Sequence, residues 1–142
     1  MTVTSRSEAD TRATARALAS TLHPGDIIVL HGNLGAGKTA FVKGLAEGLG
    51  VDPAEVSSPT FTLIQEYRGG RLTLHHIDLY RLAPPDVDDL GLDELVSGGG
   101  VVAIEWPDRW RDAPAGVIRV AIESVGADER SITVEHTREW ST

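Results

Sequence analysis

The stretch GNLGAGKT, from Gly32 to Thr39, decides the fold of this chain. Its spacing matches G-x-x-x-x-G-K-[ST], a glycine-rich loop that joins a buried strand to a helix. The flanking sequence agrees, because the apolar run IIVLHG precedes the loop and KTAFVKGLAEGLG, with apolar residues at helical spacing, follows it. We therefore expect a strand, a phosphate-binding loop and a helix in that order, with the helix ending at Gly50.

The residue types of this loop suit a nucleotide. Glycines let successive backbone N–H groups converge on an anion at the start of a helix, where the helix dipole favours negative charge. Lys38 is expected to contact the terminal phosphates, and the Thr39 hydroxyl to ligate Mg²⁺. The expected cofactors are ATP or ADP with Mg²⁺. The predicted cofactor-binding residues of the loop are Asn33, Leu34, Gly35, Ala36, Gly37, Lys38, Thr39 and Ala40.

ATP is favoured over GTP by the asparagine content of the chain. Asn33 is the single asparagine, so the Asn-Lys-x-Asp element with which many GTPases read guanine cannot occur. Lysine is also scarce, since Lys38 and Lys43 are the only two. This scarcity makes a lysine placed by chance inside the loop motif improbable.

Two acidic residues compete for the position beside the metal. Sites of this class need a carboxylate near Mg²⁺, usually at the carboxyl end of a buried neighbouring strand. Glu105 ends the apolar run VVAI and is favoured as metal ligand or as the base that orients water. Asp78 ends a more alternating strand, expected nearer the sheet edge, and is the alternative ligand or a partner of Glu105. The predicted catalytic residues are Lys38, Asp78 and Glu105, and the predicted metal ligands are Thr39, Asp78 and Glu105.

The remaining segments predict a mixed sheet. A helix is expected from Ser7 through SEADTRATARALASTL, and FTLIQEYR and RLTLHHIDLY are expected to form an antiparallel hairpin with a two-residue turn at Gly69-Gly70. PPDVDDLGLDELVS predicts a helix, VVAIEW a buried strand, and VIRVAIESV with SITVEHT a closing hairpin. The predicted fold class is α/β: a single P-loop NTPase domain over residues 1–142, whose mainly parallel core is extended by antiparallel strands, with helices on both faces.

Composition restricts the partners and the compartment. The 142 residues carry a net charge of -8 and no basic stripe, so direct binding of a nucleic acid backbone is not expected. No segment approaches the roughly 20 apolar residues that span a bilayer, so no membrane partner is expected. The absence of cysteine excludes disulfides and suits the cytoplasm, which is the expected compartment.

Other motifs are less specific. Thr60 lies in SSPTF, in the place where nucleotide switches often respond to the terminal phosphate. His75 and His76 are adjacent and should point to opposite faces of a strand, so a metal site that uses both is improbable. Arg109 and Arg111 form the only arginine cluster comparable to the lid of a small-molecule kinase.

Taken together the motifs resemble one family, the bacterial TsaE (YjeE) ATPases of tRNA threonylcarbamoyladenosine biosynthesis. The matching stretches are HGNLGAGKT, SSPTFTLIQEY, HHIDLYRL, LGLDEL and VVAIEWPDRW, in this order and within residues 26–110. The loop motif alone defines only a superfamily. The serine-proline-threonine stretch, the aspartate-leucine-tyrosine-arginine stretch and the glutamate-tryptophan pair make the resemblance specific.

The resemblance implies an ATPase that serves a transferase complex. Its partners would be TsaD and TsaB type subunits, which form a heterodimer, and tRNA would be reached only indirectly through that complex. ATP hydrolysis would support repeated threonylcarbamoyl transfer by resetting the complex. The resemblance also implies that Thr60 lies in the first switch, that Trp106 adjoins the site, and that Glu8 and Thr11 contact the nucleotide base.

Two other functions stay open on the sequence. A small-molecule P-loop kinase would consume ATP only when a hydroxyl acceptor is present. A nucleotide-dependent interaction switch would bind ATP with negligible turnover, and its partner binding would survive Glu105→Gln.

Overall fold

The computed structural model describes residues 1–32, 37–52, 54, 64–79, 86, 90–105, 110 and 116–136. Within these ranges the bounds of three helices and seven strands are defined. The helices are α1 (Glu8–Ala19), α2 (Lys38–Leu49) and α3 (Leu92–Ser97). The strands are β1 (Thr2–Ser5), β2 (Ile27–His31), β3 (Ile64–Tyr67), β4 (Leu74–Asp78), β5 (Val101–Glu105), β6 (Ile118–Ser124) and β7 (Arg130–His136).

All seven strands belong to one sheet with the order β1-β7-β6-β2-β5-β4-β3. Four adjacent strands, β6, β2, β5 and β4, are parallel to one another, while β7 and β1 on one side and β3 on the other are antiparallel to their neighbours. The predicted fold class, a mixed sheet with a mainly parallel core and antiparallel extensions, is therefore confirmed. Strand β2, which leads into the glycine loop, lies at the centre.

The core is divided by the sheet into two apolar layers, which confirms that helices cover both faces. One layer packs α1 and α2 on the sheet and includes Phe41, Leu45 and Val120. The other layer lies under α3 and includes Ile104 and Leu92. Because β2 and β5 are buried on both faces, their sequences are continuous apolar runs rather than alternating ones.

Helices α1 and α2 approach each other closely because their contact face is lined with small residues. A methyl group added at Gly44 would lie 2.4 Å from the Arg12 carbonyl oxygen, and one at Gly48 would lie 2.5 Å from Ala19 Cβ. At the edge of this contact Glu47 forms ion pairs with Arg12 and Arg16. The close packing holds the first turn of α1 beside the first turn of α2, where the glycine loop ends.

The helix caps agree with the sequence. Ser7 Oγ accepts a hydrogen bond of 3.1 Å from the Asp10 backbone N–H, so α1 begins where the capping pattern predicts. Gly50 follows α2 with φ 90°, in the left-handed region that favours glycine, and its N–H bonds to carbonyls of the last turn.

One strand was not predicted, and two local predictions were wrong. Strand β1 was not predicted, because TVTS is too short and polar to be distinguished from a polar terminus; its pairing with β7 defines it. The β3–β4 connection is longer than two residues, since Tyr67 pairs with Leu74. This connection docks on α2, where the Arg71 N–H donates to the Leu49 carbonyl at 2.6 Å.

The third correction concerns the helix predicted over PPDVDDLGLDELVS. It does not run continuously into α3, because Gly91 has φ 72° and forms the N-cap of Leu92–Ser97. Of the preceding residues, 80–85 and 87–89 lie outside the described ranges. No helix in the part of the chain that the structure describes has the length and apolar character needed to cross a membrane.

Candidate nucleotide site

The candidate site begins at the junction of the glycine loop and α2. Gly37 is the N-cap of α2 with φ 102°, a backbone conformation that glycine adopts without strain. Lys38, the first residue of the helix, is only 6% exposed. The first N–H groups of α2 have no partners within the helix, so this terminus suits an anion.

Glu105 lies beside Lys38 at the carboxyl end of β5. Its Oε1 is 3.4 Å from Lys38 Nζ, and its Oε2 forms a 2.7 Å hydrogen bond with His76 Nε2. Glu105 is 6% exposed and His76 is fully buried. The carboxylate is thus held between a cation from α2 and an imidazole from β4.

This environment determines the charge of Glu105. Burial by itself raises the pKa of the Glu105 carboxyl group, but the hydrogen bond and charge of His76 and the charge of Lys38 outweigh it. The pKa therefore lies below its ordinary value of 4.5. Near neutral pH Glu105 is an anion, as a metal ligand or a water-orienting base must be.

Asp78 occupies the matching position on the next strand. Its Cα is paired with that of Glu105 in the parallel ladder between β4 and β5. Strand β4 is second from the edge of the sheet and β5 is nearer the centre, as expected. The structure thus brings the predicted residues Lys38, Asp78 and Glu105 to one end of the sheet.

A cleft of about 330 Å³ continues from the start of α2 between α1 and the β6–β7 turn. Thr39 and Ala40 line it from α2, and Glu8 and Thr11 from α1. The Thr11 side chain is nearly buried, and its hydroxyl is 2.7 Å from Ser5 Oγ. Since Ser5 Oγ donates to the Ser7 carbonyl, the Thr11 hydroxyl is the donor to Ser5, which ties β1 to α1. The contact of Glu8 and Thr11 with the base of a nucleotide stays a prediction.

The closing hairpin also contributes to this cleft, which sequence reasoning did not foresee. Asp128 and Arg130, at the β6–β7 turn, lie opposite the first turns of both helices. They are separated from the loop motif by about ninety residues of sequence. Only the pairing of β6 with β2 and of β7 with β6 brings them to the site.

Several predicted residues lie outside the described ranges. They are Asn33, Leu34, Gly35 and Ala36 of the loop, Thr60 and Trp106, together with Arg109 and Arg111 of the arginine cluster. Their assignments as site residues, or as the lid cluster of a kinase, stay predictions.

His76 is the site residue that sequence reasoning missed. His75 and His76 do point to opposite faces of β4, as predicted. His75 lies 3.5 Å from Glu66 of β3, whereas His76 lies on the α2 side with Glu105. The spacing between His76 and Asp78 could have indicated this role, since residues two apart on a strand share a face and His76 therefore lies on the face of the candidate acid Asp78.

Mg²⁺ and a nucleotide fit these residues. Among the described residues no three His, Asp or Glu side chains form a cluster that encloses a metal ion. Mg²⁺ does not need such a cluster, because it is usually held by one or two carboxylates, water and substrate phosphates. An anionic Glu105 beside Lys38 at the start of α2 agrees with that mode of binding.

The class of protein follows from these features. A central parallel strand runs towards a glycine loop, the next helix begins with a left-handed glycine and a buried lysine, and a carboxylate ends the neighbouring strand. This is the arrangement of the P-loop NTPase fold.

Comparison with known proteins gives the family. The profile of the family described as "Threonylcarbamoyl adenosine biosynthesis protein TsaE" matches residues 5–132. The chain is 46% identical over 125 residues to the tRNA threonylcarbamoyladenosine biosynthesis protein TsaE of Bacillus subtilis, covering 87% of this chain and 78% of that protein. It is 45% identical over 136 residues to the protein of the same name from Treponema pallidum, covering 94% and 99%.

A solved structure agrees with the sequence comparison. The crystal structure of Bacillus subtilis YdiB superposes with a TM-score of 0.81 at 38% identity, covering 96% of this chain and 85% of that chain. The chain therefore belongs to the TsaE family of threonylcarbamoyl adenosine biosynthesis proteins. The family match continues to residue 132, beyond the motif resemblance within residues 26–110, and includes α1 and the start of β7.

Proposed function

We propose that this protein binds and hydrolyses Mg-ATP, and that hydrolysis supports repeated threonylcarbamoyl transfer to tRNA adenosine by a partner complex. The observation that carries the proposal is the contact between Lys38 and Glu105 at the start of α2. It combines a buried cation for phosphate with a carboxylate held in its anionic form. Membership of the TsaE family supplies the biological context.

Each residue has a distinct part in the proposed reaction. The N–H groups at the start of α2 and Lys38 would bind the terminal phosphates, and the Thr39 hydroxyl would hold Mg²⁺. Bound Mg²⁺ would supply neutralisation of phosphate charge. Glu105 would accept a proton from water or orient that water, with Asp78 as the alternative metal ligand. The adenine base of the nucleotide would occupy the cleft between Glu8 and Arg130.

The proposed partners are the TsaD and TsaB type subunits, with tRNA bound by that complex rather than by this chain. The net charge of -8 supports this division, because binding a nucleic acid backbone requires several cationic contacts. The transfer chemistry would belong to the partner. The proposed compartment is the cytoplasm.

The test is a reconstituted reaction with TsaD and TsaB type subunits, tRNA and the threonylcarbamoyl donor. Threonylcarbamoyladenosine and ADP are measured over many turnovers, with and without this chain. We expect both products to increase when the chain is added. Lys38→Ala should abolish both increases, whereas Arg68→Ala, at an exposed cation that does not line the cleft, should retain most of the activity.

Three outcomes contradict the proposal in different ways. Wild-type affinity of Lys38→Ala for ATP by calorimetry would exclude the phosphate-binding role of the loop. ATP loss that depends on a small hydroxyl acceptor and ignores the partners would indicate a kinase. Product formation that needs ATP binding, yet is unchanged in Glu105→Gln, would indicate a switch without turnover.

A further inference from the structure

His76 lies entirely inside the protein, although imidazole is polar. It is 0% exposed, on the central part of β4, and its Cα is paired with that of Ala103 on β5. Its Nε2 lies 2.7 Å from Glu105 Oε2, within the hydrogen-bond range for the two atoms. A buried polar side chain normally needs such a partner, and here the partner is the candidate catalytic carboxylate.

The hydrogen-bond pattern defines which ring nitrogen of His76 carries hydrogen. A carboxylate only accepts hydrogen bonds, so Nε2 must carry the hydrogen that Glu105 receives. Nδ1 is buried and has no hydrogen-bond partner among the described residues. The 2.7 Å bond therefore places a hydrogen on Nε2, between the His76 ring and the Glu105 carboxylate.

This bond fixes the direction of the Glu105 carboxylate. The terminal torsion of glutamate has a broad energy profile. A carboxylate whose single contact is long can therefore rotate about it. In Glu105 the two oxygens have different partners, because His76 holds Oε2 and Lys38 lies 3.4 Å from Oε1. Holding Oε2 at 2.7 Å therefore directs Oε1 towards the start of α2.

We propose that His76 is a positioning residue that aims Oε1 of Glu105 at the phosphate end of the site through its Nε2–H hydrogen bond. This inference rests on the proposed ATPase function. His76 itself would touch neither nucleotide nor water. Its loss should lower the rate of the chemical step and leave nucleotide binding nearly unchanged, since Lys38 and the start of α2 would remain.

Two variants separate positioning from packing. His76→Gln keeps an N–H donor at about the same distance along the side chain, whereas His76→Leu keeps an apolar volume without a donor. For ATP turnover we expect His76→Leu to lose about 100-fold in kcat, as for a misplaced catalytic group. We expect His76→Gln to recover most of that loss. The Kd of ADP, from calorimetry, should stay within about twofold in both, because each leaves the phosphate contacts in place.

A second measurement does not depend on activity. In the nucleotide-free protein, long-range ¹H–¹⁵N correlation spectra of the histidine rings should show a hydrogen on Nε2 of His76. Glu105→Ala should alter the His76 signals and leave those of His136, an exposed residue at the end of β7, unchanged. This measurement also tests the inference if His76→Leu fails to fold.

The outcomes separate this inference from the proposed function. Wild-type turnover by a folded His76→Leu variant would overturn the inference, as would an Nδ1–H tautomer in the wild type. A folded His76→Gln variant as slow as His76→Leu would also overturn it. If the wild type itself hydrolyses no ATP with its partners, the proposed function fails, and the spectra still decide whether His76 holds Glu105.

Discussion

Asp78 and Glu105 are direct Cα partners at the carboxyl ends of two adjacent parallel strands. The two carboxylates therefore reach the same end of the sheet, from β4 and β5, beside the start of α2. The contacts of Glu105 with Lys38 and His76 make it the better candidate for the residue that acts on water. Asp78, on the strand further from the centre, remains the alternative metal ligand.

The two acids should have separable effects on ATP turnover. Glu105→Gln keeps the shape of the side chain and removes its charge, so we expect kcat to fall by about 100-fold or more while ADP still binds. Asp78→Asn should instead weaken the affinity for Mg²⁺ and so raise the Mg²⁺ concentration that gives half-maximal rate. Both are measured by ADP release over a Mg²⁺ titration. The reverse pattern would exchange the roles of the two residues.

Glu105 should also make folding stability depend on acid pH. Its folded-state pKa is lowered below 4.5, so the folded protein binds this proton less readily than the unfolded chain does. The stabilisation is therefore fully present above about pH 4.5 and is lost as pH falls through the lower folded-state value. Each unit of pKa difference corresponds to about 1.4 kcal/mol.

Urea unfolding at pH 7 and at pH 3 measures this effect. Glu105→Gln should lower the free energy of unfolding at pH 7 and show a smaller further loss at pH 3 than the wild type. Glu123→Gln, on an exposed position of β6, is the control for removing one carboxylate. If wild type and Glu105→Gln lose the same free energy of unfolding between pH 7 and pH 3, the lowered pKa of Glu105 is contradicted.

Gly44 should be intolerant of even a methyl group. In Gly44→Ala the new Cβ would lie 2.4 Å from the Arg12 carbonyl and 2.6 Å from Ala15 Cβ, so α1 would have to move away from α2. We expect a loss of about 1–3 kcal/mol in the free energy of unfolding, as for other overpacked contacts.

The same substitution should weaken nucleotide binding, because α1 forms one wall of the cleft. Thermal unfolding and ADP calorimetry test the two effects. Gly126→Ala in the β6–β7 turn is the control for stability, since its Cβ would be 3.5 Å from the nearest atom. Gly44→Ala with wild-type stability would show that α1 and α2 can move apart without loss of folding stability.

Arg71 should contribute more to stability than its neighbour Arg68. Its guanidinium donates to the Ala19 carbonyl at 2.9 Å and to the Leu22 carbonyl at 3.2 Å, at the end of α1. Arg71→Ala removes these bonds from a helix C-terminus, and because Arg71 is partly screened by solvent we expect a loss of about 1–1.5 kcal/mol.

Arg68 is the matched control for this prediction. It is 78% exposed and pairs with Glu66 on the surface, so Arg68→Ala should change stability by less than about 1 kcal/mol. Urea unfolding of the two variants gives the comparison. Equal losses would mean that the bonds of Arg71 to α1 do not stabilise the fold.

Much of the fold was determined by local sequence. The pattern from Gly32 to Thr39 and its flanks predicted β2 and α2, because continuous apolar runs and capping glycines act over a few residues. The capping pattern at Ser7 predicted α1 in the same way. Glu105 could also be predicted, since the carboxyl end of a buried parallel strand faces the ligand crevice.

Tertiary structure decided what depends on pairing between distant segments. Strand β1 exists because β7 offers it an edge, and the β3–β4 connection is long because it docks on the end of α2. Arg130 reaches the cleft only through the order of the strands. His76 reads in the sequence as one half of a histidine pair. Its role follows from the register that places β4 beside β5 and brings its ring within 2.7 Å of Glu105, a relationship that no local pattern encodes.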